Sequence, residues 1–348
     1  MRAKVAILFA LFIAGWLWLD ARAQQNTNTI VSGAHRFEKV ADGIYYTTAS
    51  GTMSVGANSP VIITDTEAII IDSQITAAAA RAMIQDLKAI TDKPIRYVID
   101  SHYHYDHAHG NQVFGPEVQV IGHDNTRKRM LGNVLEQFTY LTSVDPSRVT
   151  TLKQRIAEAK DPEQKATLER NLANQLAYLE AMKEVKVTPP NLTLSTRMSI
   201  YRGNREMELL YLGRGHTDTD LVVFLPKERI VLTGDLMESV ISYMGDSYPE
   251  EWITTLERLK ALDFDRVMPG HGVVFTGKGL ITAFQGYLRS YLEQVNKLRA
   301  SGLTAEQAAP RVDLTAFSKD FPQIRGVGAD LAGVRRIYKL AQEPEPAQ

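Results

Sequence analysis

Apolar positions in this chain gather into short runs closed by turn-forming residues, and the longer stretches between them follow a helical repeat. Runs at 44–48, 95–99 and 118–121 predict strands. Those at 61–64 and 68–71 predict a hairpin turning through Asp65-Thr66-Glu67. The Ala-rich stretch 75–90, stopped at Asp92-Lys93-Pro94, predicts a helix, and 125–138 predicts another. The second half repeats the theme, with strands at 198–201, 206–212, 221–224 and 230–232, a helix at 250–262 and a buried strand at 266–268. A long helix follows at 280–298, a capping box at Thr304 and Gln307 opens another, and a terminal helix covers 327–340. Two strand-rich halves with helices outside describe an α/β chain folded as an αββα sandwich.

The stretch 145–187 is different in kind. Asp145-Pro146 and Asp161-Pro162 each place a helix-capping side chain before a proline suited to the first helical position. Leu168, Leu172, Leu176, Leu179 and Met182 then recur at spacings of three and four, one apolar stripe on one helix. This reads as a helical hairpin inserted between the two strand-rich halves. Three uses fit it: internal packing, a surface for homo-oligomer contact, or a lid over a site.

The N-terminus reads as a signal peptide over 1–23: Arg2 and Lys4, an apolar run shorter than the roughly 20 residues that span a bilayer, then Ala21-Arg22-Ala23. The chain is therefore expected to be periplasmic or secreted, with no stable membrane insertion after cleavage. Residues 24–34 read as a disordered leader, 35–300 as the catalytic domain, and 301–348 as a helical extension with a disordered tail. Net charge is −1, and removing 1–23, with three basic side chains and one acidic, leaves −3. Such a chain has no general attraction for phosphate backbones, so the expected partner is a small-molecule substrate and not nucleic acid. Cysteine is absent, so any metal must be held by histidines and carboxylates.

Those residues are concentrated. Ser101-His102-Tyr103-His104-Tyr105-Asp106-His107 follows the strand 95–99, and His102 and His104 alternate so as to face the same way. Three imidazoles and a carboxylate so close together are costly in a core but suit a divalent ion. His216 (in Gly213-Arg-Gly-His-Thr-Asp), Asp235 (in Thr233-Gly-Asp) and His271 (in Pro269-Gly-His-Gly272) each follow a strand and stand beside glycine, which allows close backbone approach. Together they make one site's worth of ligands for two metals. Asp218 and Asp220 are candidates to support His216. Tyr103 and Tyr105 read as wall packing, His109 as a surface residue, and His35 and His123 receive no role.

The motifs HYHYDH at 102–107, GRGHTDTD at 213–220, LTGD at 232–235 and PGHG at 269–272 resemble, in order, those of the metallo-β-lactamase superfamily. That resemblance implies a first metal on His102, His104 and His216, a second on Asp106, His107 and His271, and Asp235 as a bridge. It implies two zinc ions (Zn2+), with iron or manganese as alternative occupants, and Asp106 as a residue that also orients the nucleophile or takes up a proton. The wording is nearest to class B β-lactamases, whereas the bridging Asp is similar to glyoxalase II-like and lactonase-like members. The implied activity is hydrolysis of an ester, lactone, thioester or β-lactam bond by a hydroxide between the metals. A non-haem iron redox protein of the same fold and a metal-binding accessory protein without turnover are the competing readings.

Overall fold

The structure, a computed structural model, describes residues 28–132 and 144–342. The signal peptide read at 1–23, residues 133–138 of the second helix and the end of the tail lie outside them.

Among the described residues the first sheet has eight strands in chain order: β1 (Thr29–Ser32), β2 (His35–Ala41), β3 (Ile44–Ala49), β4 (Val61–Ile63), β5 (Ala68–Ile71), β6 (Ile95–Ile99), β7 (Gln119–His123) and β8 (Leu192–Leu194). Neighbours are antiparallel as far as β5 and parallel from there on. The second sheet has six: β9 (Arg197–Arg202), β10 (Arg205–Tyr211), β11 (Leu221–Leu225), β12 (Ile230–Gly234), β13 (Arg266–Pro269) and β14 (Phe275–Thr276). Here β12 and β13 are the parallel pair. Parallel neighbours require crossovers, and helices supply them. The helices are α1 (Ala77–Asp86), α2 (Tyr105–Ala108), α3 (Asp124–Leu131), α4 (Ser147–Glu158), α5 (Pro162–Met182), α6 (Pro249–Lys260), α7 (Gly279–Ala300), α8 (Ala305–Ala308) and α9 (Leu331–Leu340).

Side-chain alternation sets the layers. On β5, Ile69 and Ile71 join a core with Met207, Leu209 and Val223 of the second sheet. Ala68 and Ile70 face the other way, onto Met83 and Leu87 beside α1. On β11, Leu221 and Val223 face the first sheet, while Val222 and Phe224 pack under Trp252, Leu256 and Leu259 of α6. These two strands are therefore apolar on both faces, and the four layers are the expected αββα sandwich. The segment after α7 is not separate from this core. Val312, Phe321, Val334 and Ile337 are buried against the same cluster as Trp252 and Phe284, each contributing about 1.5–3 kcal/mol.

Two expectations change. The leader expected over 24–34 is ordered from residue 29, because β1 pairs with β2 from Thr29↔Glu38 to Ser32↔His35. The hairpin is fastened by Asp86, which accepts from Ala34 N at 2.8 Å and lies 2.8 Å from the buried His35 Nδ1. Secondly, the helical insert is not between the halves: it lies in the crossover from β7 to β8, within the first sheet. The three-residue β8 is too short to leave a pattern. The apolar stripe read on α5 is partly covered, with Leu168 and Met182 buried but Leu176 47% exposed. Asp161 caps α5 as read, accepting from Gln164 N at 2.8 Å. Asp145 acts one residue further out, accepting from Ser147 N, so that Pro146 precedes α4.

Candidate metal centre

The strand ends converge. β6 runs into His102 and His104, and α2 carries Asp106 and His107. The loop after β10 carries His216, β12 leads to Asp235, and β13 to His271. Three groups form with their ligand atoms within 4.8 Å of one another: His102, His104 and His216; His102, His107 and Asp235; and Asp106, His107 and His271. All seven residues singled out in the sequence are therefore brought together. Asp235 Oδ2 sits in the middle, 3.3 Å from His107 Nε2, 3.6 Å from the Nε2 atoms of His216 and His271, and 3.9 Å from His102 Nε2.

Backbone shape makes this possible. Gly234 has φ +49, and a Cβ there would meet the Ser101 side chain at 2.4 Å. A Cβ on Gly270 would lie 2.3 Å from Asp235 Oδ1 and 2.9 Å from His107 Cε1. The PGHG turn is gripped from the opposite sheet: Tyr46 Oη lies 3.1 Å from the Pro269 carbonyl, and Asn58 N donates to Gly270 O at 2.8 Å.

Charge divides the site in two. Burial first, then the neighbouring imidazoles His107 and His104, hold His102 well below its ordinary value, and burial takes His216 to about 3. Both are neutral, with lone pairs to offer. On the other side burial works against His107 and His271, but Asp235, Asp106 and, for His107, Asp72 outweigh it; His107 is raised and His271 lifted to about 10. Burial disfavours the charge on Asp106 and Asp235, yet the surrounding histidines keep both carboxyls below the usual range.

The sequence reading missed the supports of this centre. Asp72, at the end of β5, accepts from His107 Nδ1 at 2.8 Å and from Ser101 N at 2.7 Å. Asp246 lies 3.1 Å from His104 Nε2, leaving His104 Nδ1 facing His216 Nε2 at 3.0 Å. Asp72 follows an apolar strand just as Asp235 does, a signal that could have found it; Asp246 sits in a polar loop with no such mark. Asp218 and Asp220 do not support His216. Asp218 pairs with Arg129 at 2.7 Å, and the buried Asp220 folds back on Thr217 N. His109 is buried and not on the surface (1% exposed), because its turn is pressed onto α1 and the loop before it, where a Cβ on Gly110 would meet Ala80 Cβ at 2.7 Å and Ser73 O at 1.8 Å. Tyr103 packs with Ala108 and Met130, the wall role read for it.

The insert closes one side. A cavity of about 670 Å³ has Asp106 and Tyr105 on its floor and residues of α4 and α5 opposite. The end of the insert is tied down beside the metal-ligand segment: Asn111 Nδ2 donates to Thr188 O at 3.0 Å and Gln112 Nε2 to Glu184 O at 3.0 Å.

A sequence profile of the metallo-beta-lactamase superfamily matches residues 54–271. The linear primary-alkylsulfatase of Pseudomonas sp. (strain ATCC 19151) is 23% identical over 287 residues, covering 78% of this chain and 53% of that protein. A type 2 metallo-beta-lactamase of Bacillus sp. (strain 170) is 31% identical over 139 residues, covering 38% of this chain and 49% of that protein. The chain thus spans about half the length of these curated relatives. Among solved structures, a stereoselective inverting sec-alkylsulfatase from Pseudomonas sp. superposes with a TM-score of 0.63 at 16% identity, over 88% of this chain and 50% of that one. A metallo-beta-lactamase from Pontibacter korlensis superposes with a TM-score of 0.54 at 17% identity, over 73% of this chain and 99% of that one.

Proposed function

We propose that this chain, which belongs to the metallo-β-lactamase superfamily, is an exported hydrolase that works with two divalent metal ions, zinc by preference. The observation that carries the reading is the central carboxylate oxygen of Asp235, set among four imidazole nitrogens with a ligand trio on either side. The residues suit such ions. His102 Nε2, His107 Nε2 and Asp235 Oδ1 are buried and have no hydrogen-bond partner among the described residues. Buried polar atoms of this kind are normally satisfied, and cations would satisfy them.

His102, His104 and His216 would hold one ion, Asp106, His107 and His271 the other, with Asp235 shared. When bound, two such ions supply a hydroxide nucleophile at neutral pH and polarise the bond under attack. The chain's own groups set the geometry. Asp72 and Asp246 fix the rings of His107 and His104 from behind. Asp106, at the cavity floor and 3.1 Å from His271, is placed to orient the nucleophile and to accept a proton. Residues of the insert wall that side of the cavity.

The bond cleaved is an ester, lactone, thioester or β-lactam. A sulfate ester is a second reading, supported by the alkylsulfatase likeness, which extends over more of this chain than the 31% identical β-lactamase does. Metal analysis of the purified protein, paired with a hydrolysis panel covering these bonds, tests both. About two zinc ions per chain with turnover of one class is expected. One firmly held metal unaffected by added zinc, or a coloured iron protein inactive on the whole panel, would overturn the reading.

A further inference from the structure

The cavity between the metal centre and the helical insert has an uneven charge. Arg148 and Arg155 stand two turns apart on the same face of α4, and both line it. Asn171 and Asn174 of α5 line the adjoining wall. Among the described residues Asp106 is the one acidic member of the lining, and its carboxylate is directed to His271 and His107. Neither arginine forms an ion pair with an acid among the described residues, whereas Arg81 and Arg129, nearby, are each paired. The space, about 670 Å³, is of the size that encloses a small organic molecule.

Two guanidinium forks and neutral amide donors facing a polar cavity make a receptor for an oxyanion. A surface arginine pair with nothing opposite would be unremarkable. These two are exposed on the helix, but they line the same cavity as Asp106, a residue of the ligand cluster. We infer that the insert selects substrates bearing a carboxylate several bonds from the group that is cleaved, held by Arg148 and Arg155 while the reacting bond lies at the metals. This rests on the hydrolase reading above and adds the substrate class to it.

The experiment uses the zinc-loaded full chain and 4-nitrophenyl monoesters of dicarboxylic acids from succinate to suberate, each beside its neutral methyl-capped counterpart. In the parent, one chain length should be preferred over its neutral counterpart, through KM. Arg148→Gln/Arg155→Gln should raise KM for that monoester by about 10- to 100-fold, the loss expected for charged hydrogen bonds. Its kcat should hold, and KM for the neutral ester should stay within about twofold. Lysine at both positions should restore part of the preference, since charge persists without the fork. Equal effects on charged and neutral esters, or none on either, would overturn the inference while leaving the hydrolase intact. Should the parent cleave no ester at all, calorimetric binding of the free dicarboxylates still decides. Binding weakened about tenfold or more in the double variant supports the subsite; binding unchanged, or absent from the parent, refutes it.

Discussion

Replacing Asp72 by asparagine removes a negative charge from behind His107 while leaving the backbone in the left-handed conformation it adopts there, φ +64. Asparagine tolerates that conformation almost as aspartate does. In the parent, one carboxylate satisfies three buried donors: His107 Nδ1 at 2.8 Å, Ser101 Oγ at 2.9 Å and Ser101 N at 2.7 Å. The amide has one accepting oxygen, so its NH2 group must face at least one of those donors. One buried donor then goes unmet, at a cost of about 1–3 kcal/mol. At about 2–4 °C per kcal/mol for a domain of a couple of hundred residues, the metal-free protein should melt several degrees lower. His107 also loses the anion that raises its basicity, for which about 10- to 100-fold in metal affinity is expected. Asp72→Ala strips all three donors and adds roughly 1–2 kcal/mol for the left-handed backbone. Its stability should therefore fall further, although its metal affinity should resemble that of the asparagine variant. Zinc competition against a chromophoric chelator, with melting curves in chelator and in excess zinc, separates the two effects. If Asp72→Asn melted lower yet bound both metals as tightly as the parent, Asp72 would hold the fold alone and its role behind His107 would be wrong.

Asp235→Asn should depress metal content and hydrolysis of every substrate, while Asp235→Cys should keep two metals with altered substrate preference; metal analysis and rates on ester, lactone and β-lactam substrates check both. Gly270→Ala should act in the same direction as Asp235→Asn with every ligand residue retained, because its methyl would strike Asp235 Oδ1 and His107 Cε1; unchanged metal content would count against that packing. Burial lowers His109 from 6.5 to about 4, so the unfolded chain takes up this proton first. Its contribution, up to about 3 kcal/mol, is complete above pH 6.5 and is lost as pH falls toward 4; melts of the metal-free protein across that window should show a drop that His109→Asn flattens. The native protein should begin at Gln24, and intact mass of the periplasmic or secreted form is the measurement; a native chain beginning at Met1 in the membrane fraction would replace cleavage with anchoring.

The seven clustered residues were legible because apolar strands hand over abruptly to imidazoles and carboxylates, a change with no use in a core. The layers were legible for the same reason, since β5 and β11 are apolar on both faces. What escaped was fixed by contacts between distant segments. Residues 29–34 are held by pairing with β2 and by Asp86, some fifty positions away. His109 is buried by the fit of Gly110 against Ser73, and Asp246 reaches His104 across 142 positions. None of these contacts leaves a local period. How far the apolar stripe of α5 is covered was not legible either, because a stripe of leucines shows which face is apolar and not how much of it a neighbour meets.

The attachment of the insert bears on how such an enzyme can be redesigned. α4 and α5 form a cassette that leaves the sheet after β7, returns at β8, and is clipped beside the metal-ligand segment by Asn111 and Gln112. Positions 148, 151, 155, 171 and 174 line the cavity without supplying a ligand to the centre, so they can be randomised as a set. A graft that discards the clip would instead leave the buried Asn111 amide without the Thr188 carbonyl it now meets, in the segment that presents His107. Exchange of substrate pockets in this scaffold should therefore keep residues 184–188 with the host and vary only what lies between β7 and that anchor.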